Sequence, residues 1–319
     1  MKLIIQIPCY NEAETLKITL DDLPKKIAGI DKIETLIVDD GSDDETVSVA
    51  KACGVDHIVS FTANKGLAKA FMAGIDGALR AGADIIVNTD ADNQYCGDDI
   101  EKLIAPIIDH KADIVIGARP IDETEDFSPL KKRLQHIGSW AVRRASNTDI
   151  PDAPSGFRAF SAEAAMRINV VNDYTYTLET IVQAGREKIP ITSVPIRTNP
   201  ALRESRLAQS MYRYVRTSML TILRAYLVYK PLKAFAFVSI FPAIPGIVIW
   251  IRFLYYYFTA GGAGHIQGLI MGCTLLIIAF VTFMIGVLGD AVSANRKILQ
   301  DTQYHIRRME YDMRSGSEA

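Results

Sequence analysis

The sequence predicts an α/β domain with a mostly parallel sheet, followed by an interfacial helix and two transmembrane helices. Apolar segments of strand length alternate with helical segments over residues 1–202, which is typical of a doubly wound sheet. Two stretches without a formal charge, 234–251 and 267–289, are long enough to cross a bilayer, which takes roughly 20 apolar residues. Residues 1–130 carry 12 Lys and Arg against 25 Asp and Glu, whereas residues 131–319 carry 23 against 12. This asymmetry indicates a change of environment along the chain.

Cysteine, histidine and glycine patterns exclude several other classes. The four cysteines show neither metal-ligand spacing nor an evident pairing, which favours free thiols in a reducing compartment. The five histidines form no HExxH, and the first strand is followed by neither a GxGxxG motif nor a P-loop. No zinc site, dinucleotide site or nucleic-acid partner is therefore expected. No signal peptide precedes the first strand, so we expect the N-terminal domain to face the cytoplasm.

The segment ADIIVNTDADNQY, residues 83–95, is the centre of the predicted domain. Residues 83–87 are predicted to form a buried strand of a parallel sheet, because a short apolar run is bounded there by turn residues. The strand delivers Asp90 and Asp92 at its carboxyl end, where ligands bind in open α/β sheets. With Gln94, these side chains supply the oxygen ligands that Mg²⁺ or Mn²⁺ prefers. An isolated Asp-x-Asp also occurs in solvated turns, but neighbouring strands favour the metal site.

Two earlier strands are predicted to bring further polar residues to the same edge. The first strand covers residues 2–8, and the second covers residues 35–38. We expect Asn11 to cap the helix after the first strand, with acidic residues in its first turn. The polar residues that follow the two strands are Asn11, Glu12, Glu14, Asp39 and Asp40. Convergence of three strands on one edge supports a ligand site better than any one of them.

The other elements of the domain follow from the same periodicity. They are a strand at 57–61, a helix from about 64 to 80, a helix at 98–109, a strand at 113–117, a helix at 174–185 and a last strand at 191–197. Pro195 lies in that last strand, which favours an edge position in the sheet.

Five motifs resemble those of family 2 glycosyltransferases with a GT-A fold. They are PCYNE at 8–12, VDDGS at 38–42, NKGLAKAFMAGI at 64–75, DADNQ at 90–94 and DAPSGFRAF at 152–160. The last one is similar to the branch that contains dolichol-phosphate mannose synthase and bacterial polyprenyl-phosphate glycosyltransferases. The resemblance covers nearly the whole chain. It implies inverting, metal-dependent transfer of a sugar from a UDP- or GDP-sugar to a membrane polyprenyl phosphate.

The resemblance also implies which residues form the site. The nucleotide-sugar would contact Pro8, Tyr10, Asn11, Glu12, Val38, Asp39, Asp40, Lys65, Asp90, Ala91, Arg119, Glu179 and Arg203. The acceptor phosphate would contact Arg133, Ser155, Arg158 and Arg206. The metal, Mg²⁺ or Mn²⁺, would be held by Asp90, Asp92 and Gln94, and the catalytic residues would be Asp90, Asp92, Asp152 and Arg158.

Several of these roles have plain structural alternatives. Some relatives carry an acid where this chain has Gly156, so a general base is open here, and Asp152 either replaces it or only caps a turn. Arg119 fits a phosphate contact or a surface position at a strand end. Glu179 fits a sugar contact or a solvated helix position. Residues 121–135 fit a loop over the active site or a plain linker.

A basic segment precedes the apolar stretches. Residues 203–233 contain seven Lys and Arg against one acid, Glu204, interleaved with leucine, methionine and tyrosine. This composition is typical of a helix that lies on an anionic bilayer surface. An amphipathic helix packed on the domain is the alternative.

The two apolar stretches are predicted to span the membrane with both ends in the cytoplasm. The connecting residues 259–266 contain no Lys or Arg, whereas Lys230, Lys233, Arg296 and Lys297 flank the pair. A buried helical hairpin in a soluble protein is the alternative. The sequence thus predicts a catalytic domain at 1–202, an interfacial region at 203–232, two spans at 233–289 and a charged tail at 290–319. The tail is expected to pack on the domain or to mediate homo-oligomerisation.

Other functions compete with this interpretation. A processive polysaccharide synthase shares the early motifs but would normally show a QxxRW-like motif and more spans. A membrane-anchored transferase for a soluble or glycolipid acceptor fits the same motifs, as does a non-catalytic membrane protein that binds nucleotide-sugars. The motifs leave the sugar, the polyprenol and the choice between UDP and GDP open.

Overall fold

The structure is a computed structural model that describes residues 1–120, 139, 142–143, 146, 148–170, 176–200, 227, 231–260 and 266–315. The chain divides into two compact units, Met1–Ile222 with Asp301–Ala319, and Leu223–Gln300. Some predicted features lie outside the described residues. They are the loop at 121–135, nearly all of the interfacial helix at 203–232, and the side chains of Arg133, Arg203 and Arg206.

The first unit is built on strands and short helices. The described strands are β1 Lys2–Cys9, β2 Lys32–Asp39, β3 His57–Ser60, β4 Ile85–Asn88, β5 Ile114–Ala118, β6 Arg158–Ser161 and β7 Ile191–Pro195. The described α-helices of this unit are α1 Leu16–Asp21, α2 Thr46–Ala52, α3 Leu67–Arg80, α4 Ile100–Ile108, α5 Ala162–Arg167 and α6 Thr177–Glu187.

The strands form one mostly parallel sheet in the order β3-β2-β1-β4-β6-β5-β7. Strands β3, β2, β1 and β4 run parallel, and so do β5 and β7. The exception is β6, which pairs antiparallel with both β4 and β5. This is a GT-A-like arrangement, so the predicted fold class is confirmed. Strand β6 was missed, because four residues that begin with an arginine show neither an apolar run nor a strand period.

Strand β1 lies inside the sheet and is buried on both of its faces. Seven of its eight residues are buried, as expected for a parallel strand covered by helices on both sides. The helix α3 packs so closely on β1 that a Cβ at Gly74 would overlap the Gln6 side chain. Strand β7, in contrast, lies at the edge of the sheet, so the missing N–H of Pro195 removes few hydrogen bonds between strands. The predicted edge position of Pro195 is confirmed.

The predicted helix cap at Asn11 is wrong. The first helix begins at Leu16, so Glu12 and Glu14 precede it. Asn11 has a left-handed backbone, with φ 54, and its side-chain oxygen accepts a hydrogen bond from the Asp43 N–H at 2.9 Å. It therefore binds the loop after β2 instead of capping the helix after β1.

The second unit contains two long helices, α7 Pro231–Ala260 and α8 Ile266–Ser315, the last of which extends into the first unit. Both are long and apolar enough to cross a membrane by length and composition. Large apolar side chains such as Phe237, Phe258 and Phe280 are exposed on them. Such exposure is costly in water and suits a lipid environment. The two predicted apolar helices are thus present in the structure.

The end of α8, from Asp301 on, belongs to the first unit and packs on its other elements. The Tyr304 hydroxyl donates to Glu163 Oε1 at 2.9 Å, and Arg307 forms an ion pair with Asp76 at 2.7 Å. Arg307 also donates to the Ile168 carbonyl at 2.7 Å, just beyond α5. The charged tail therefore packs on α3 and α5, which is one of the two roles expected from its sequence.

Candidate active site

Three loops meet at the carboxyl edge of the sheet. They follow β1, β2 and β4, which are neighbours in the sheet and run parallel. The first two are bonded to each other, because the Asn11 N–H donates to Ser42 Oγ at 2.9 Å. Pro8 and Val38, both predicted nucleotide contacts, are paired in register at this edge and are buried, whereas Tyr10 is exposed. The structure thus brings the first two predicted motifs together.

Asp40 shapes the loop that leads into α3. Its side chain is buried, and its two oxygens accept hydrogen bonds from the backbone N–H groups of Lys65 at 2.7 Å and Gly66 at 2.9 Å. The neighbouring Asp39 accepts a hydrogen bond from the Ser42 N–H at 3.0 Å. Both carboxylates therefore fix backbone at the site, and their predicted contact with the base stays a prediction.

The loop after β4 carries the two predicted metal-binding carboxylates. It turns at Asn93, which has a left-handed backbone with φ 56, and the Gln94 N–H lies 3.3 Å from Asp92 Oδ1. The Ala91 carbonyl accepts a hydrogen bond from Thr19 Oγ1 at 2.9 Å, which ties the loop to α1. Desolvation by the surrounding protein, followed by the negative charge of Asp92, raises the pKa of Asp90 above its ordinary value.

These donors fit a hard divalent cation. Two close carboxylates disfavour each other's charge, and a cation between them would offset that repulsion. Among the residues that the structure describes, no group of three or more acidic, histidine or cysteine side chains is placed to hold a metal. Three protein ligands, Asp90, Asp92 and the Gln94 amide, would leave positions for water and ligand phosphates, as Mg²⁺ commonly requires.

Arg119 and Asp152 form a buried ion pair beside these carboxylates. Arg119 Nε lies 2.7 Å from Asp152 Oδ2, and Nη2 lies 3.0 Å from Oδ1. The two side chains are 15% and 1% exposed, so Arg119 is not a solvated surface arginine. Although burial opposes it, the negative charge and hydrogen bonds around Arg119 raise its pKa. Since both Asp152 oxygens are engaged, Asp152 serves to orient Arg119.

Arg158 occupies a different environment from the one predicted. It is completely buried, and it donates to the carbonyls of Ser155, Thr177 and Ala153 at 2.8, 2.8 and 2.7 Å. Burial lowers its pKa to about 10. The side chain therefore orders the loop 152–157 against α6. A direct contact with an acceptor phosphate, as predicted, would need an exposure that Arg158 does not have.

Two other predicted residues, Ser155 in this loop and Glu179 on α6, are buried as well. The Ser155 hydroxyl is fully buried and has no hydrogen-bond partner within the described part of the chain. Glu179 on α6 is only 9% exposed, which rules out the alternative of a solvated helix carboxylate. Lys65, in contrast, is exposed, and its ammonium group lies 4.5 Å from the Phe61 ring centroid. Their ligand contacts stay predictions.

A buried network of amides and tyrosines was missed by the sequence analysis. Gln6 Nε2 donates to Asn88 Oδ1 at 2.8 Å, which points the Asn88 amide nitrogen at the Gly156 carbonyl, 2.9 Å away. The Tyr95 hydroxyl accepts a hydrogen bond from the Gly156 N–H at 3.0 Å, and Tyr176 lies on the other side. The only sequence signals were a polar residue inside β1, an asparagine ending β4 and a tyrosine directly after DADNQ.

The fold and this site together define a GT-A glycosyltransferase domain. The glucosyl-3-phosphoglycerate synthase of Mycobacterium tuberculosis superposes with a TM-score of 0.54 at 18% identity, over 69% of this chain and 79% of that one. That enzyme was crystallised with Mn²⁺, UDP and glucosyl-3-phosphoglycerate. At this identity the likeness concerns the fold.

The chain belongs to glycosyl transferase family 2, whose sequence model matches residues 4–168, just over half of its 319 residues. A dolichyl-phosphate N-acetylglucosaminyltransferase of Methanococcus voltae that uses UDP-N-acetylglucosamine is 32% identical over 60% of this chain and 83% of its own. An undecaprenyl-phosphate mannosyltransferase of Micrococcus luteus is 28% identical over 61% of this chain and 83% of its own. The protein is therefore a glycosyltransferase, as predicted.

Proposed function

We propose that the protein transfers a sugar, with inversion, from a nucleotide-sugar to a polyprenyl phosphate in a membrane. The observation that carries the proposal is the combination of acidic side chains at the carboxyl edge of the sheet with two membrane-length apolar helices in one chain. The names of the two relatives support the acceptor, since both act on a polyprenyl or dolichyl phosphate. The Methanococcus relative uses a UDP-sugar, which favours UDP over GDP for this chain.

The donor diphosphate is proposed to lie at the carboxyl end of β4. Mg²⁺ or Mn²⁺ held by Asp90, Asp92 and Gln94 would neutralise the diphosphate and make it a better leaving group. Arg119 adds a fixed positive charge beside Asp90, because Asp152 holds its guanidinium at two points. An arginine anchored in this way recognises a phosphate without a large loss of side-chain entropy.

The acceptor phosphate is proposed to attack the anomeric carbon without a strong general base. A phosphate monoester has a second pKa of about 6 and is already anionic at neutral pH. Asp152 is bound by Arg119 on both oxygens, so we assign it a positioning role instead of the catalytic role predicted. Arg133 and Arg206 are proposed to bind the acceptor phosphate, and Ser155 offers a hydroxyl. Arg203 is proposed to contact the nucleotide-sugar.

The catalytic domain is proposed to face the cytoplasm, with α7 and α8 as two spans. The loop between the helices contains no Lys or Arg. Lys233 precedes the first apolar stretch and Arg296 follows the second, so both would lie on the side away from that loop. Residues 203–232 are proposed to lie on the cytoplasmic headgroups, where the acceptor phosphate is found.

A transfer assay on detergent-purified protein tests the proposal. Labelled UDP- and GDP-sugars are offered with Mg²⁺ or Mn²⁺ and undecaprenyl or dolichyl phosphate, and label is counted in the organic phase. We expect label from one donor, its loss with EDTA, and a decrease of at least about 100-fold in Asp92→Asn, since electrostatic groups at the reacting phosphates contribute this much. Asp98→Asn, which removes an exposed acid six positions away, is the matched control.

The outcomes separate the competing functions. Label that enters the organic phase only with the lipid present supports the proposal. Label transferred to a water-soluble acceptor, with none in the lipid, supports a membrane-anchored enzyme for soluble acceptors. Nucleotide-sugar binding without turnover of any donor supports the non-catalytic alternative, and either of these two results contradicts the proposal.

A further inference from the structure

The backbone of Gly156 is held by buried side chains on both sides of its Cα, at the N–H and at the carbonyl. Its N–H donates to the Tyr95 hydroxyl at 3.0 Å. Its carbonyl accepts hydrogen bonds from Asn88 Nδ2 at 2.9 Å and from the Tyr176 hydroxyl at 3.3 Å. These three side chains come from three places in the fold: the end of β4, the loop after it and the residue before α6. The backbone of one residue thus connects three parts of the site.

Gly156 lies directly against the acidic loop. A Cβ at this position would lie 3.0 Å from Asp90 Oδ2, 3.1 Å from Asp90 Oδ1 and 3.1 Å from the Tyr176 hydroxyl. Few real Cβ atoms have contacts this short, so the position requires glycine or a movement of its neighbours. The hydrogen bonds to the backbone of Gly156 therefore set the distance between the loop 152–156 and the Asp90 carboxylate.

Both tyrosine rings are fixed by stacking. The Tyr176 ring stacks on Phe71 with centroids 4.0 Å apart and planes 4° apart. The Tyr95 ring stacks on Phe157 with centroids 5.0 Å apart and planes 10° apart. Since another aromatic ring stacks on the face of each tyrosine, its hydroxyl has little freedom to leave the Gly156 backbone.

We propose that Tyr95 and Tyr176 are positioning residues for the proposed transfer, which hold the loop 152–156 at a fixed distance from Asp90. The inference rests on the proposed function for its kinetic consequence, but its geometric part stands without it. Tyr176 accepts from Asn88 Nδ2 at 2.9 Å, and Gln6 orients that amide, so the network extends into the centre of the sheet.

The consequence for catalysis follows from distance. The proposed acceptor side, with Ser155, must approach the donor held at Asp90 to within reacting distance. A displacement of about 1 Å at a reacting group costs up to about 100-fold in rate. Tyr95→Phe and Tyr176→Phe each remove one hydroxyl and retain the stacked ring. We expect each variant to lower kcat by about 10-fold and to leave the KM for nucleotide-sugar within about twofold of wild type.

The double variant tests whether the two hydroxyls act together on the backbone of Gly156. Residues that act on one group show non-additive effects, whereas independent residues give losses that multiply. We therefore expect Tyr95→Phe with Tyr176→Phe to lose clearly less than the product of the two single losses. Hydrogen–deuterium exchange gives a second reading without any turnover: the fragment 152–158 should exchange faster in both single variants.

A matched control lies at the opposite end of the same strand. The Tyr311 hydroxyl donates to the Ala83 carbonyl at 3.3 Å and to Asp84 Oδ1 at 3.4 Å, just before β4 begins. Tyr311→Phe removes comparable hydrogen bonds without touching Gly156. It is expected to keep the wild-type kcat and the wild-type exchange of the fragment 152–158, with at most a lower thermal midpoint.

The results separate this inference from the proposed function. If the wild type transfers sugar but both single variants match it in kcat and exchange, the positioning roles are wrong. If the double variant shows the full product of the losses, the two hydroxyls act independently of each other, and the inference is also wrong. If the wild type transfers no sugar from any donor, the proposed function fails, and exchange at 152–158 alone decides the inference.

Discussion

Arg119 and Asp152 face each other as a two-point ion pair, with Nε to Oδ2 at 2.7 Å and Nη2 to Oδ1 at 3.0 Å. The Arg119 N–H adds a third bond to the same carboxylate at 3.2 Å. The pair joins the end of β5 to the start of the loop that carries Ser155 and Gly156. It explains how an arginine is fixed beside the acidic loop, and it leaves Asp152 poorly suited to accept a proton from substrate.

The first prediction concerns the role of Asp152. Asp152→Asn keeps a carbonyl that accepts from Arg119 but removes the charge. We expect kcat to fall by about 10-fold, because Arg119 is held less firmly, while the pH dependence of kcat keeps its wild-type shape. Steady-state kinetics between pH 6 and about 9 make this comparison.

A general-base role would give a different result for the same variant. Activity would be almost abolished, and the remaining rate would no longer fall toward low pH. Asp149→Asn, three positions earlier and exposed, is the control for a charge change in the same segment.

A second prediction concerns acid stability through Asp99. Its side chain is completely buried and forms ion pairs with Arg197 Nη2 at 2.9 Å and Lys102 Nζ at 2.8 Å. Burial by itself raises the pKa of Asp99, but the bonds from Arg197 and Lys102 outweigh it and lower the value from 3.8 to about 2. Because the folded-state pKa is depressed, the stabilisation is fully present above about pH 4 and is lost as pH falls toward about 2.

The measurement is urea unfolding of wild type and Asp99→Asn from pH 7 down to about 2. We expect the variant to be less stable at pH 7 by an amount that is constant down to about pH 4 and then shrinks. Asp98→Asn, whose side chain is 79% exposed, should match wild type throughout. A difference that grows as the pH falls would contradict the assignment.

A third prediction concerns the tail. Arg307 is 10% exposed, pairs with Asp76 and donates to carbonyls at the end of α5. Arg307→Ala leaves these acceptors without a charged donor, which costs roughly 1.5–3 kcal/mol for a charged hydrogen bond. We expect a lower thermal midpoint for the first unit. Arg308→Ala is the matched control, because Arg308 is 47% exposed and its pair with Glu163 contributes less.

Equal midpoints for wild type and Arg307→Ala would show that the tail does not stabilise the domain. A loss of nucleotide-sugar binding without a change in midpoint would indicate a functional role instead of a structural one.

The parts of the fold with strong local signals were predicted from the sequence. Strands β1 and β4 are mainly apolar and lie inside a mostly parallel sheet, and the polar residues that follow them locate the edge that holds Asp90 and Asp92. The two apolar helices were equally clear, because length and absence of charge decide the prediction.

The features that were missed depend on contacts distant in sequence. Asn11 is a residue type that commonly caps helices. Its hydrogen-bond partner is the N–H of Asp43, which lies 32 residues away in the next loop. Arg158 resembles a phosphate ligand until its acceptors are known, and they come from the carbonyls of Ala153, Ser155 and Thr177. Local propensity contains no information on either set of contacts.

Analysis of the product decides whether the protein transfers a sugar to a polyprenyl phosphate. The lipid extracted after reaction with the active donor is analysed by mass spectrometry and by NMR of the anomeric position. We expect a phosphodiester with the mass of the acceptor plus one sugar residue. Its anomeric configuration should be opposite to that of the donor. A lipid of unchanged mass, with the sugar released to water or joined to a soluble acceptor, would contradict the proposed transfer.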